Sequence, residues 1–225
     1  MKELKMVFIA GALTLSTFIG SAQQSDEWRP LFGDDLSDAD FPEGVWICED
    51  GILTASEDRC IWTKRDYENF ILDLEFKHGV GGNSGVLVYC VDTENWVPNA
   101  LEISIIDHRS EKWKDVPPYW LSGAVFGLMP PVEQRLKKAG KWNRMIISCM
   151  GQHVTVELNG KLVTDMDKSL WTDEKYNPDG TEITPWLVSS RLFADLPTKG
   201  KIGLQGKHAD APIWFRNVRV KELQK

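Results

Sequence analysis

Phe70-Ile71-Leu72-Asp73-Leu74-Glu75-Phe76-Lys77 reads with a period of two: Phe70, Leu72, Leu74 and Phe76 fall on one side of an extended chain, and Ile71, Asp73, Glu75 and Lys77 on the other. A helix would spread those four apolar side chains around its axis, so the stretch predicts a strand with one face on a core and the other carrying charge. The same texture recurs outward from it. Gly85 to Val91, Leu101 to Asp107, Trp142 to Met150, His153 to Leu158, Lys201 to Gln205 and Ile213 to Lys221 are strand-like runs bounded by Gly, Asn, Asp or Pro. Met150-Gly151-Gln152 joins two of them as a hairpin, and Leu158-Asn159-Gly160-Lys161 carries the Asn-Gly signature of a tight turn needing positive φ at both central residues. Many strands with one apolar face each, and almost no helical period, predict an all-β fold: a two-sheet antiparallel β-sandwich of jelly-roll type.

Two stretches break the pattern, Arg109 to Gly140 and Asp165 to Lys199, both long for connections in a compact domain and therefore candidates for functional loops. Trp113, Tyr119, Trp120, Trp171, Tyr176 and Trp186 within them argue against disorder. Exposed indoles are costly unless they cover something, and sugars present C–H faces that stack on such rings. Loop indoles over one sheet face are consistent with a carbohydrate cleft, and any one of them equally fits packing that anchors its loop, whereas Trp46, Trp142 and Trp214 lie in strand-like runs and read as core or sheet-face packing.

The chain has 225 residues with 26 Lys and Arg against 33 Asp and Glu, a net charge of −7 that argues against gripping a nucleic acid. Lys2 and Lys5, the uncharged apolar run Met6 to Ile19 and the small residues Gly20-Ser21-Ala22 form a signal-peptide pattern, the apolar run being shorter than the ~20 residues a bilayer needs. Residues 1–22 are thus read as a cleaved signal peptide and 23–225 as one mature domain, exported to the periplasm or secreted, with no transmembrane span after cleavage. Cys48, Cys60, Cys90 and Cys149 show no zinc-like spacing. Cys48 and Cys60 would be bridgeable in an oxidising compartment if their strands were neighbours, while Cys90 and Cys149 read as buried thiols.

Trp28-Arg29-Pro30-Leu31-Phe32-Gly33-Asp34-Asp35-Leu36 and the run Trp46 to Leu53 resemble the opening segments of the bacterial 3-keto-disaccharide hydrolase domain family. The resemblance continues in order through Tyr67-Glu68-Asn69-Phe70, Gly82-Asn83-Ser84-Gly85-Val86, Leu101 to Asp107, Gly140-Lys141-Trp142-Asn143, Leu158-Asn159-Gly160, Gly203-Leu204-Gln205 and Trp214 to Leu223. It implies a concanavalin-like jelly roll with a sugar site on one sheet face, acting on glycosides whose C3 hydroxyl has been oxidised to a ketone. Two departures bear on substrate fit rather than fold. Ser104 stands where the family tends to have Gln, and Gln205-Gly206-Lys207-His208-Ala209-Asp210 replaces its Gln-x-His-Gly stretch.

A C3 ketone acidifies the C2 hydrogen, so a base can form an enolate, the C1 substituent can leave and water can add to the enone. Such a site needs a base at C2, donors at the enolate oxygen and an acid for the leaving oxygen. By alternation Glu102, Ser104, Ile106 and His108 share one strand face, and a bulge would return Asp107 to it. The candidate catalytic groups are Glu102 with Asp107 or His108, and the candidate substrate contacts are Glu75, Lys77, Asn83, Trp113, Gln205 and His208. Glu75 and Lys77 also fit a same-face ion pair on a solvated sheet. No organic cofactor is expected. A divalent metal would suit an enolate oxygen, but no spacing demands one, so metal ligands stay unassigned. Without a nucleotide motif, a separate oxidoreductase is expected to supply the ketone. The rival reading is a non-catalytic glycan-binding module of the same fold. A conventional glycoside hydrolase with two carboxylates ranks third.

Overall fold

The computed structural model describes residues 27–224, so the signal-peptide reading of residues 1–22 lies outside the described residues. Among the described residues period-two alternation yields thirteen strands in two antiparallel sheets. In chain order they are β1 (Arg29–Pro30), β2 (Ala39–Asp40), β3 (Trp46–Glu49), β4 (Ile52–Ala55), β5 (Ile61–Thr63), β6 (Phe70–His78), β7 (Asn83–Cys90), β8 (Leu101–Ile106), β9 (Asn143–Met150), β10 (His153–Leu158), β11 (Lys161–Asp167), β12 (Lys201–Leu204) and β13 (Ile213–Glu222). The larger sheet runs β11-β10-β9-β6-β13-β4-β3 with β1 added beside β13, and the smaller runs β2-β5-β12-β7-β8. No helix among the described residues is long and apolar enough to cross a membrane.

The core lies between the sheets. Phe70, Leu72, Leu74 and Phe76 of β6 are fully buried in it against Val86 and Val88 of β7, Leu101, Ile103 and Ile105 of β8, and Met145 and Ile147 of β9. Each such side chain contributes on the order of 1.5 to 3 kcal/mol by leaving water. The expected hairpins form: His153 pairs with Met150, and Leu158 with Lys161 across Asn159 (φ 52°) and Gly160 (φ 79°).

Cys48 and Cys60 are not bridged. Cys48 sits on β3 of the larger sheet and Cys60 precedes β5 of the smaller, and all four cysteines are free thiols. Alternation separates inward from outward residues but says nothing about which sheet a strand joins.

The connection after β8 lays its backbone along that strand, closing the sheet edge: Phe126 N donates to Glu102 O at 2.8 Å and Ser104 N to Ala124 O at 3.0 Å. The second stretch starts later than expected, because Asp165 to Asp167 extend β11. Lys168 then holds it. Its Nζ is buried and donates to the carbonyls of Phe193 (2.8 Å), Ala194 (3.1 Å) and Leu196 (2.7 Å), while burial pulls its pKa down to about 8.

Replacing Lys168 with Met keeps the side-chain length but leaves three carbonyls without this donor. The expected loss is about 3 kcal/mol, a fall of roughly 6–12 °C in Tm measurable by thermal unfolding. A second prediction concerns acid. Burial alone would raise the Asp73 carboxyl, but hydrogen bonds from Arg144 and Arg219 outweigh it and hold its pKa below 3.8. The stability this group contributes is present above pH 3.8 and is lost as the pH falls through its lower folded-state value. Asp73→Asn should flatten that acid limb in pH-dependent denaturant melts.

Candidate active site

The outer face of the smaller sheet begins as bare backbone. A Cβ on Gly203 would lie 2.4 Å from the Trp62 ring, so the absent side chain lets that indole lie across β12. Gly85 plays the same part for the neighbouring acid, since its Cβ would lie 2.6 Å from both Cγ and Oε1 of Glu102. Glu102 pairs across strands with Leu87, which packs outward with Trp62, Cys90 and Ala100. The carboxyl therefore rests on apolar side chains and glycine backbone. Burial pushes its pKa up to about 8, with His208 drawing it down and Asp58 raising it further.

Beside it stands an oriented imidazole. His208 Nδ1 lies 2.6 Å from Asp58 Oδ2, and Gln205 Nε2 donates to Asp58 Oδ1 at 3.3 Å. The bond to Asp58 is the main reason the imidazole pKa rises above 6.5; desolvation opposes it and the Glu102 charge assists. Backbone contacts set both partners. His208 bridges to Asn83 at the start of β7, and Gln205 N donates to Gly85 O at 2.9 Å. A Cβ on Gly206 would lie 2.1 Å from Glu57 O, so only glycine lets the 57–59 segment pass this close and bring Asp58 between Gln205 and His208.

Aromatic rings wall the hollow, which holds about 760 Å³, within the ~300–1,000 Å³ typical of small-molecule sites. Trp113 donates from Nε1 to Gly81 O at 2.8 Å, Trp120 packs on Phe126 (5.3 Å) and Trp186 (5.5 Å), and Trp96 also lines the hollow. Trp186 is 55% exposed at the rim. The two long connections lock together through a hydrogen bond from Tyr119 Oη to Asp179 and through Asn177 Nδ2 donating to Gly127 O at 3.3 Å. Trp171 is not in the roof; it is buried and donates to Asn177 Oδ1 at 2.8 Å.

Of the residues singled out in the sequence, Glu102, Asn83, Trp113, Gln205 and His208 line this one cleft. Four others stand elsewhere. Asp107 does not rejoin the Glu102 face: its buried carboxylate accepts from Gly81 N at 3.0 Å and staples the β6–β7 turn. His108 is absent from the cleft lining, its pKa is lowered chiefly by burial, and its buried Nδ1 has no hydrogen-bond partner. Glu75 and Lys77 point outward as expected, but from the larger sheet, on the far side of the sandwich. Glu75 pairs with Arg216, and Lys77 sits over the rings of Trp142 (5.0 Å) and Trp214 (4.4 Å).

Asp58, Arg59, Trp62, Trp96 and Phe126 line the cleft without having been singled out. Glu57-Asp58-Arg59 reads in sequence as an ordinary charged turn, and what places it, the tight passage at Gly206, is a contact between segments far apart in the chain. Among the described residues no group of three or more His, Cys, Asp or Glu side chains is placed to hold a metal ion.

Comparison with known proteins bears on the fold and the family. The chain is 27% identical over 181 residues to the 3-keto-disaccharide hydrolase of Bacteroides thetaiotaomicron, an alignment spanning 70% of this chain and 59% of that relative. A crystal structure from Parabacteroides distasonis, of a protein carrying the provisional name glycosyl hydrolase, superposes with a TM-score of 0.84 at 53% identity. That match covers 88% of this chain and 100% of the other. A Bacillus subtilis protein of galectin-like fold, 14% identical, superposes with a TM-score of 0.53 over 87% of this chain and 94% of its own, a likeness of fold alone. Residues 27–221, nearly all of the described chain, match the 3-keto-alpha-glucoside-1,2-lyase-like domain, and the chain belongs to that family.

Proposed function

We propose that this protein cleaves the glycosidic bond of 3-keto-glycosides, disaccharides among them, by elimination followed by addition of water. The observation that carries the reading is a carboxyl held protonated by burial next to an imidazole oriented by a carboxylate, both on the floor of one aromatic-walled cleft. With Nδ1 engaged by Asp58, the other ring nitrogen of His208 is free to take the C2 proton. The electron pair of the C2–H bond passes into an enolate at the C3 oxygen, where Asn83 and Arg59 supply a donor and a positive charge. Re-forming the ketone expels the C1 substituent, Glu102 protonates the departing oxygen, and water adds across the resulting C1–C2 double bond.

This assignment moves the partner of Glu102 from Asp107 or His108 to His208 with Asp58, and gives Lys77 no part. The C3 ketone has to be made elsewhere, by a separate oxidoreductase, and export directed by residues 1–22 belongs to the same proposal.

Glu102→Gln should lower kcat on a 3-keto disaccharide by ~10²–10⁴-fold, as expected for loss of a general acid. On a 3-keto aryl glucoside whose phenol leaves unassisted, the variant should recover to within about tenfold of the parent. Unchanged turnover of the disaccharide in a folded variant would remove Glu102 from the chemistry, and failure of the aryl substrate to rescue it would make Glu102 the base instead. The unoxidised glucosides should not be consumed at all; binding without turnover of either form would identify a glycan-binding module. The pH profile follows from the same groups. Activity should climb as His208 loses its proton, above 6.5, and decline through about 8 as Glu102 ionises, and Glu102→Gln should abolish the alkaline decline.

A further inference from the structure

The outer face of the larger sheet carries a second arrangement unrelated to the cleft. On β6 the outward residues are Asp73, Glu75 and Lys77, flanked in register by β9 on one side and β13 on the other. Reading across the strands gives Arg144-Glu75-Arg216, then Ile146-Asp73-Arg219, while Lys77 pairs with Trp214 and lies over the ring of Trp142, which precedes β9. The acids lie underneath: Asp73 is 4% exposed and Glu75 25%, whereas Arg144 and Arg219 are about half exposed at 54% and 46%. Solvent thus meets four cations over two shielded carboxylates, on a chain whose net charge is −7.

Each guanidinium is held rigid from one edge. Arg144, Arg216 and Arg219 all spend Nε and Nη2 on Asp73 or Glu75, which leaves Nη1 of each without a protein acceptor among the described residues. Flat rings lie alongside: the Arg216 guanidinium is 4.1 Å from the Trp142 ring centre, and that of Arg219 is 4.8 Å from Trp28, which is 41% exposed. A hollow of about 680 Å³ opens here, lined by Trp28, Asp73, Glu75, Arg144, Arg216 and Arg219 among others, with Arg29 and Asp34 adding one charge of each sign at its edge.

We infer that this face binds a carboxylate-bearing polysaccharide, a chain of uronic acid units, at a site separate from the catalytic cleft. Arg144 and Arg216 stand two strands apart on either side of Glu75, a spacing of about 10 Å in a β-sheet. That matches the advance of two pyranose units along an extended ribbon, so the two guanidinium edges can meet alternate carboxylates, while Trp28, exposed in the lining of the hollow, offers a ring to a sugar C–H face.

Affinity electrophoresis in native gels tests this, with polygalacturonate, dextran sulfate and neutral dextran as immobile polymers and the full chain as the mobile species. Polygalacturonate should retard the protein although both carry net negative charge, and neutral dextran should not. Arg216→Gln should weaken the retardation at least tenfold. Trp28→Ala, which leaves every pair at Asp73 and Glu75 intact, should weaken it several-fold while turnover in the cleft stays at the parent level. Absence of retardation, equal retardation by dextran sulfate, equal retardation of both variants, or co-sedimentation with phosphatidylglycerol vesicles in place of polygalacturonate binding would each overturn the assignment.

Discussion

The contact between Glu102 and the bare backbone of Gly85 is what the cleft is organised around. A carboxyl lying on glycine and leucine is short of water, and the cost falls on its charged form, so burial lifts the pKa to about 8. A methyl group at Gly85 would remove the space, and a side chain at Gly203 would lift Trp62 off β12. The sheet thus contributes flatness, which is rare on a β-surface where every second residue points outward. Two glycines on adjacent strands turn an ordinary outer face into a floor on which one acid and one indole can lie.

The aromatic wall depends on a different set of forces. The long connections insert Val125, Leu128, Leu136, Ile183, Leu187 and Phe193 into the main core, and polar ties set their path: Lys168 to three carbonyls, Thr164 Oγ1 to Gly123 O at 2.7 Å, and Trp171 to Asn177 at 2.8 Å. Buried bonds of this kind contribute little net energy when made but are costly to leave broken, so they specify one loop arrangement more than they stabilise it. A wall already in place spares an incoming ligand the cost of ordering it.

A sandwich has two outer faces, and this one equips them with opposite chemistry. On the smaller sheet an acid kept neutral meets a histidine kept basic, within reach of each other's charge. On the larger sheet carboxylates are sunk beneath guanidiniums, which holds both ionised and turns the cationic edges outward. The same residue types, Glu with a nearby cation, are arranged in one place so that protons can move and in the other so that they cannot.

Period-two alternation in Phe70 to Lys77 was enough to identify strands, their inward residues and the class of fold, because burying one face of each strand is a local requirement written into every second position. The Asn-Gly turn was equally legible, since few other residues tolerate its backbone angles. The cleft was legible only in part. Glu102 could be placed on an outer face, and the family resemblance brought Asn83, Gln205 and His208 beside it. Yet the same rule, applied to Glu75, Lys77, Cys48 and Cys60, says outward or strand-borne without saying which of two sheets. That choice is made by hydrogen-bond pairing between strands distant in the chain, β6 with β9 and β13, and β7 with β8 and β12. Asp58 was invisible for the same reason: its role comes from a loop laid against Gly206 from far away in sequence. The chain by itself determined what each strand must bury; only the tertiary structure decided which outward residues meet, because the energy of burial is collected strand by strand whereas a site is assembled across them.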